Sequence, residues 1–255
     1  ICIVVSSSVG WAQLDDMGEK LLSEQERQRY TEILNQPIDP NGLFYARAEK
    51  YREKVLAAGM LGDQVRVGQL LKEWMSFEPQ GDAKWKLLDW LWYNGQRDEA
   101  LRLSGELIQE RREPTQNVRL RSQTAYYHLQ DGNIPQAIAQ IAKAEEVIKY
   151  EFSSLSRRGS MPFWIARAQL EFYMAKSETE AAQGKWAAAI ESSQIAVSRG
   201  RDLFRMLSMA GNEDYAAMAR RVILMTQGQL GARQIDAGLY SDAEWTFRET
   251  YKQGK

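Results

Sequence analysis

One short pattern recurs along this chain: a glycine, four other residues, then an alanine followed by an apolar stripe. The copies are Gly95 to Ala100, Gly132 to Ala137, Gly184 to Ala189 and Gly238 to Ala243, with an earlier copy, Gly62 to Val67, carrying Val in the last place. A glycine just past the end of a helix is the residue that closes it in the left-handed conformation at no steric cost. The small residue then falls in the first turn of a second helix, where two helices cross closely. The stripe that follows keeps helical spacing, as in Leu101, Ser104, Leu107 and Ile108, or Tyr240, Ala243, Phe247 and Tyr251. Each copy therefore predicts a helix–turn–helix, and no stretch alternates with the period of two that a strand requires.

The glycines are separated by 33 residues (62 to 95), 37 (95 to 132), 52 (132 to 184) and 54 (184 to 238). The first two intervals fit a repeat unit of about 34 residues. The last two are longer, and the extra residues are expected in long paired helices, broken once around Phe152 to Pro162 and once at Ala210-Gly211-Asn212. Pro79 follows Gly62 by seventeen residues, and Leu230-Gly231 precedes Gly238 by seven. On these residues the chain resembles the tetratricopeptide repeat family, in an irregular, long-helix form. The resemblance implies an all-α fold, a right-handed α-solenoid of about five helix–turn–helix repeats. They are expected at about 42–80, 81–114, 117–156, 161–208 and 212–255.

Two segments precede the repeats. Residues 1–12 are apolar, small and uncharged, ending Gly10-Trp11-Ala12, which looks like the end of a secretory leader cleaved before Gln13. This predicts export, to a bacterial periplasm, and a cytoplasmic location if the segment is not a leader. Residues 13–41 hold a charged amphipathic stretch, Leu14 to Gln36, read as an N-terminal helix that Pro37 to Gly42 ends. The open second helix at Gln253-Gly254-Lys255 suggests a chain that continues in a longer protein.

Composition narrows the chemistry. Thirty-three Lys and Arg balance 34 Asp and Glu for a net charge of −1, which offers no electrostatic attraction for nucleic acid or an anionic membrane. The single cysteine, Cys2, and single histidine, His128, provide no disulfide and no cysteine-based zinc cage. No Gly-rich phosphate loop or His-Glu-x-x-His motif occurs. Acidic pairs such as Asp15-Asp16 and Glu145-Glu146 read as solvated surface, and Ser156 to Ser160 as a connection between helices. Neither a catalytic site, a metal site nor a cofactor is expected.

What stands out is aromatic, with 8 Trp and 11 Tyr. In solenoids of the family resembled here, first-helix residues thirteen, ten, six, three and two before the turn glycine line a concave groove. From Gly95 these are Asp82, Trp85, Asp89, Trp92 and Tyr93; from Gly132, Arg119, Ser122, Tyr126, Leu129 and Gln130; from Gly62, Glu49, Arg52, Leu56, Gly59 and Met60. The resemblance implies a protein-binding groove formed by Arg52, Trp85, Asp89, Trp92, Tyr93, Arg119 and Tyr126, with Trp90 in the core. Trp and Tyr give a peptide large contact area at low rotamer entropy. The expected partner is another protein or peptide segment, bound without catalysis. Two other contexts fit such repeats: a regulatory region ahead of a caspase-like peptidase, and a periplasmic scaffold of polysaccharide export.

Overall fold

A computed structural model describes residues 22–77, 83–110, 113–157, 162–211 and 213–254. Among the described residues there are eleven α-helices and no strand. They are α1 (Glu24–Asn35), α2 (Phe44–Met60), α3 (Gln64–Phe77), α4 (Ala83–Tyr93), α5 (Arg97–Glu110), α6 (Pro114–Gln130), α7 (Ile134–Arg157), α8 (Pro162–Ala182), α9 (Trp186–Met209), α10 (Glu213–Asp236) and α11 (Tyr240–Gly254). The leader-like residues 1–12 and Pro79 lie outside the described residues.

The five turn glycines all carry positive φ: Gly62 at 76°, Gly95 at 77°, Gly132 at 74°, Gly184 at 72° and Gly238 at 77°. Each closes its helix in the same way. The glycine N–H donates to the carbonyl three residues back, and the next N–H donates to the carbonyl five back, as with Gly95 to Trp92 (3.2 Å) and Gln96 to Leu91 (2.9 Å). These paired bonds satisfy carbonyls that a helix end leaves open, and they need a left-handed residue between them. Four residues into the following helix sit Val67, Ala100, Ala137 and Ala189 at 0% exposure and Ala243 at 2%. The recurring pattern is thus a turn and a crossing point: α2–α3, α4–α5, α6–α7, α8–α9 and α10–α11 are five helix pairs joined alike. Gly211, at φ 69°, closes α9 in the left-handed conformation too.

The extra residues of the long intervals went into the helices. α7, α9 and α10 have 24 residues each and α8 has 21, against 14 and 11 in α3 and α4. α1 begins at Glu24, where Ser23 and Glu26 form a reciprocal cap: Glu26 N–H donates to Ser23 Oγ (3.2 Å) and Ser23 N–H to Glu26 Oε2 (2.8 Å); the expected stretch before residue 22 lies outside the described residues. At its other end Lys54 of α2, itself buried, donates Nζ to Leu34 O at 2.7 Å.

The chain forms two compact units, residues 1–103 and 104–255. In the first, α1 packs on α2, α2 on α3 and α3 on α4. Its core holds Val67, Leu70, Leu71, Trp74, Leu88 and Leu91, all at 1% exposure or less. In the second, neighbours in sequence pack in turn from α6 to α11, and α6 also packs on α8. One core cluster there joins Val118 and Ala125 of α6, Ala137, Ile141 and Phe152 of α7, and Phe172 of α8. Small hydroxyl residues complete the crossings: Ser104 Oγ bonds Thr124 Oγ1, and Ser177 Oγ bonds Ser193 Oγ at 2.7 Å. A hydroxyl satisfied in this way is buried without the penalty of an orphaned polar group.

Candidate functional site

In the first unit, α4 divides its residues between core and surface. Trp92 and Asp89 are buried at 4% each, Trp85 is half-buried and Tyr93 is 45% exposed. Arg97, just past the turn, sets its guanidinium over the Trp92 ring at 5.3 Å. Trp90 is half-buried, with its ring against Gly68 and Nε1 donating to Gln64 O at 3.2 Å. Asp82 lies outside the described residues. On α2, Arg52 is exposed and paired with Glu49 at 2.7 Å, a contact of little energy in water. Leu56, in the groove position of the first pair, is 52% exposed and lines an open cleft of about 480 Å³ with Tyr30 and Ile33 of α1.

In the second unit the same positions are polar and cross-linked. Arg119 of α6 pairs with Glu171 of α8 at 2.8 Å, and Arg167, one turn earlier on α8, pairs with the same carboxylate at 3.1 Å. Glu178 of α8 meets Arg233 of α10 at 2.5 Å, and Arg233 also holds Asp236 at 3.1 Å. Side-chain exposure of Arg119, Glu171, Glu178 and Arg233 runs from 12% to 23%, so these pairs are screened less than surface ones. Burial pushes the Glu171 carboxyl up, but Arg119 and Arg167 together outweigh it and hold the group below its ordinary value.

Tyr126 lies within this arrangement. Its hydroxyl oxygen is buried without a well-formed hydrogen bond, and Glu178, Arg233 and Gln229 surround it. Burial above all, with Glu178 adding to it, pushes the phenol well above its ordinary value, so it stays a neutral donor. Ser122, the −10 residue of the same helix, is buried and bonds the Val118 carbonyl at 2.8 Å.

The sequence reading took no residue from α8 or α10. The same count back from Gly184 reaches Glu171 and Glu178, so that part of the network was available in the spacing. Arg167 and Arg233 fall outside the count, and only the packing of α6, α8 and α10 reveals them. The face is therefore ionic in the second unit and aromatic in the first.

His128 is half-buried near the end of α6, where burial lowers its affinity for a proton and Asp131 partly offsets that. Among the described residues no cluster of His, Cys, Asp and Glu is arranged to hold a metal, and no helix is long and apolar enough to cross a membrane.

No protein-family model matches the chain, and no curated protein is similar to it. Among solved structures it is similar to BtubC (BKLC) from P. vanneervenii, at 18% identity over 84% of this chain and 91% of that chain, with a TM-score of 0.32.

Proposed function

We propose that the chain is a tetratricopeptide-like repeat scaffold, without catalytic activity, that binds a segment of another protein on its first-helix faces. The observation that carries this reading is the turn repeated at Gly62, Gly95, Gly132, Gly184 and Gly238, identical in conformation and followed each time by a buried small residue. Stacked repeats of this kind create extended concave surfaces that partners can occupy. In the first unit, Tyr93 and Trp85 offer rigid aromatic area beside a buried Trp92. In the second, the mostly buried ion pairs of Arg119, Glu171, Glu178 and Arg233, with Tyr126 among them, tie α6, α8 and α10 together and pre-order the first-helix face, which lowers the entropy lost on binding.

Photo-crosslinking in the producing cell tests the proposal. A crosslinking side chain in place of Tyr93, or of exposed Gln130 at the matching position of the next pair, should capture one discrete protein. Placed at Trp245, on a second helix, it should not. Capture from Trp245 with none from Tyr93 or Gln130 would overturn the reading. The export that accompanies it requires loss of residues 1–12 and a mature chain starting at Gln13. Mass spectrometry of the native protein checks this, and an intact start would dispose of it.

A further inference from the structure

Two Asn-Gly dipeptides occur in the chain, Asn41-Gly42 and Asn94-Gly95, and both asparagines are exposed. The dipeptide is chemically labile, because a glycine without a side chain lets its backbone nitrogen reach the asparagine Cγ. The two sit in unlike places. Asn94 follows the last residue of α4: its N–H donates to Trp90 O at 3.0 Å, and its Nδ2 donates to the same carbonyl at 2.9 Å. The Gly95 N–H closes the helix on Trp92 O at 3.2 Å, with the glycine held at φ 77°. Asn41 lies in the connection between α1 and α2. Its N–H donates to Asp39 Oδ1 at 2.9 Å, and the Gly42 N–H donates to Asp39 O at 3.2 Å. Among the described residues the Asn41 side-chain amide holds no hydrogen bond.

We propose that Asn41 is a site of spontaneous modification in the folded chain, where ring closure with Gly42 converts it to aspartate and isoaspartate, and that the closing bonds of α4 protect Asn94. Hydroxide removes the Gly42 amide proton, the nitrogen attacks Asn41 Cγ, and the Cγ–Nδ2 bond breaks as ammonia leaves. Water then opens the cyclic imide. Cleavage at Cγ leaves aspartate; cleavage at the main-chain carbonyl leaves isoaspartate, whose backbone runs through the side chain. The net exchange is ammonia out and water in, with nothing oxidised or reduced. At Asn41 the ring gives up a single turn bond, Gly42 to Asp39, in an exposed connection. At Asn94 the amide must leave Trp90 O and the Gly95 peptide must turn out of the cap, so the end of α4 has to open first. The carboxylate formed at residue 41 stands just ahead of α2, whose N-cap, Leu43, supplies no side-chain bond. Negative charge is favourable near a helix N-terminus, so the product stays folded and accumulates.

The whole folded chain is incubated at mildly alkaline pH, then digested in acid to stop the reaction. Peptide mass spectrometry reads the exchange of NH2 for OH at each asparagine, and ion exchange follows the added negative charge. Asn41 should convert about tenfold faster than Asn94 or more, because an opening step precedes the second reaction. In guanidinium chloride strong enough to unfold the chain, the two rates should become alike, since each asparagine then has only its own glycine to meet. Asn41→Gln, whose longer side chain closes a ring far more slowly, should abolish the main acidic form of the folded chain and leave Asn94 converting as before. No conversion at Asn41 in the folded chain, or conversion of Asn94 at an equal or greater rate, overturns the proposal. So does a difference that persists in denaturant, which would belong to the local sequence rather than to the fold.

Discussion

The Trp90 ring lies so close to Gly68 that a Cβ at residue 68 would meet Cη2 and Cζ2 at 2.5 Å. The indole has nowhere easy to go, because Nε1 donates to Gln64 O at 3.2 Å. In an open helix interior Gly→Ala would stabilise by about 1 kcal/mol. Here overpacking of about 1–3 kcal/mol opposes that gain. Gly68→Ala should therefore lower stability by about 1 kcal/mol. Gly105→Ala, in α5 with nothing within 4 Å of its added Cβ, should raise it. Denaturant titration of both variants checks the opposite signs; a gain at residue 68 would mean that the ring moves freely.

Gly95 tests the repeat turn. With φ at 77°, a Val there should cost on the order of 1–2 kcal/mol or more, whereas Asn, which visits this region more readily, should cost less. Thermal melting should rank the chains Gly, then Asn, then Val. Equal melting of all three would remove the structural reason for the recurring glycine.

Trp92 and Tyr93 are neighbours in sequence with opposite duties. At 4% exposure Trp92 is filling space, so Trp92→Ala should destabilise by about 3–5 kcal/mol. Tyr93, at 45% exposure, should tolerate Ala within about 0.5 kcal/mol and so report on binding alone. Comparing melting points with capture of the partner separates the two roles, and a large stability loss at Tyr93 would sink that division.

How much of this was legible beforehand follows from the range of the interactions. The turns at Gly62, Gly95, Gly132, Gly184 and Gly238 are closed by bonds reaching at most five residues, so their cause lies within the pattern that announced them. The start of α1 is equally local, in the reciprocal cap of Ser23 and Glu26. The pair Arg119–Glu171 is another matter. Its members are 52 residues apart, and only the stacking of α6 on α8 brings them together. Spacing also gave Trp85, Trp92 and Tyr93 one common side, but seven residues or one along a helix does not decide burial. The neighbours that bury Trp92 and leave Tyr93 open do.

Glu171 should leave a signature in acid. Its carboxyl is held below the ordinary value, so its contribution to stability is complete above the usual carboxylate range and disappears as pH falls through the lowered native value. Glu171→Gln leaves the guanidinium groups of Arg119 and Arg167 uncompensated in a mostly buried place, at a cost of about 2–4 kcal/mol near neutral pH. The difference between parent and variant should shrink on acidification below about pH 4.5. Melting points measured from neutral to acid pH check this; a constant difference would show that the ion pairs are not its source.

The turn has one further consequence, for a chain still being made. Its bonds span six residues, so the turn itself closes without anything downstream, while the apolar face of its second helix waits for the next helix to pack on it. The turn at Gly62 can therefore close once Phe77 has cleared the ribosome, while α4, which packs on α3, is still untranslated. Each later pair then grows on a folded template, which keeps the apolar stripe of a newborn second helix exposed only for as long as one more helix takes to emerge.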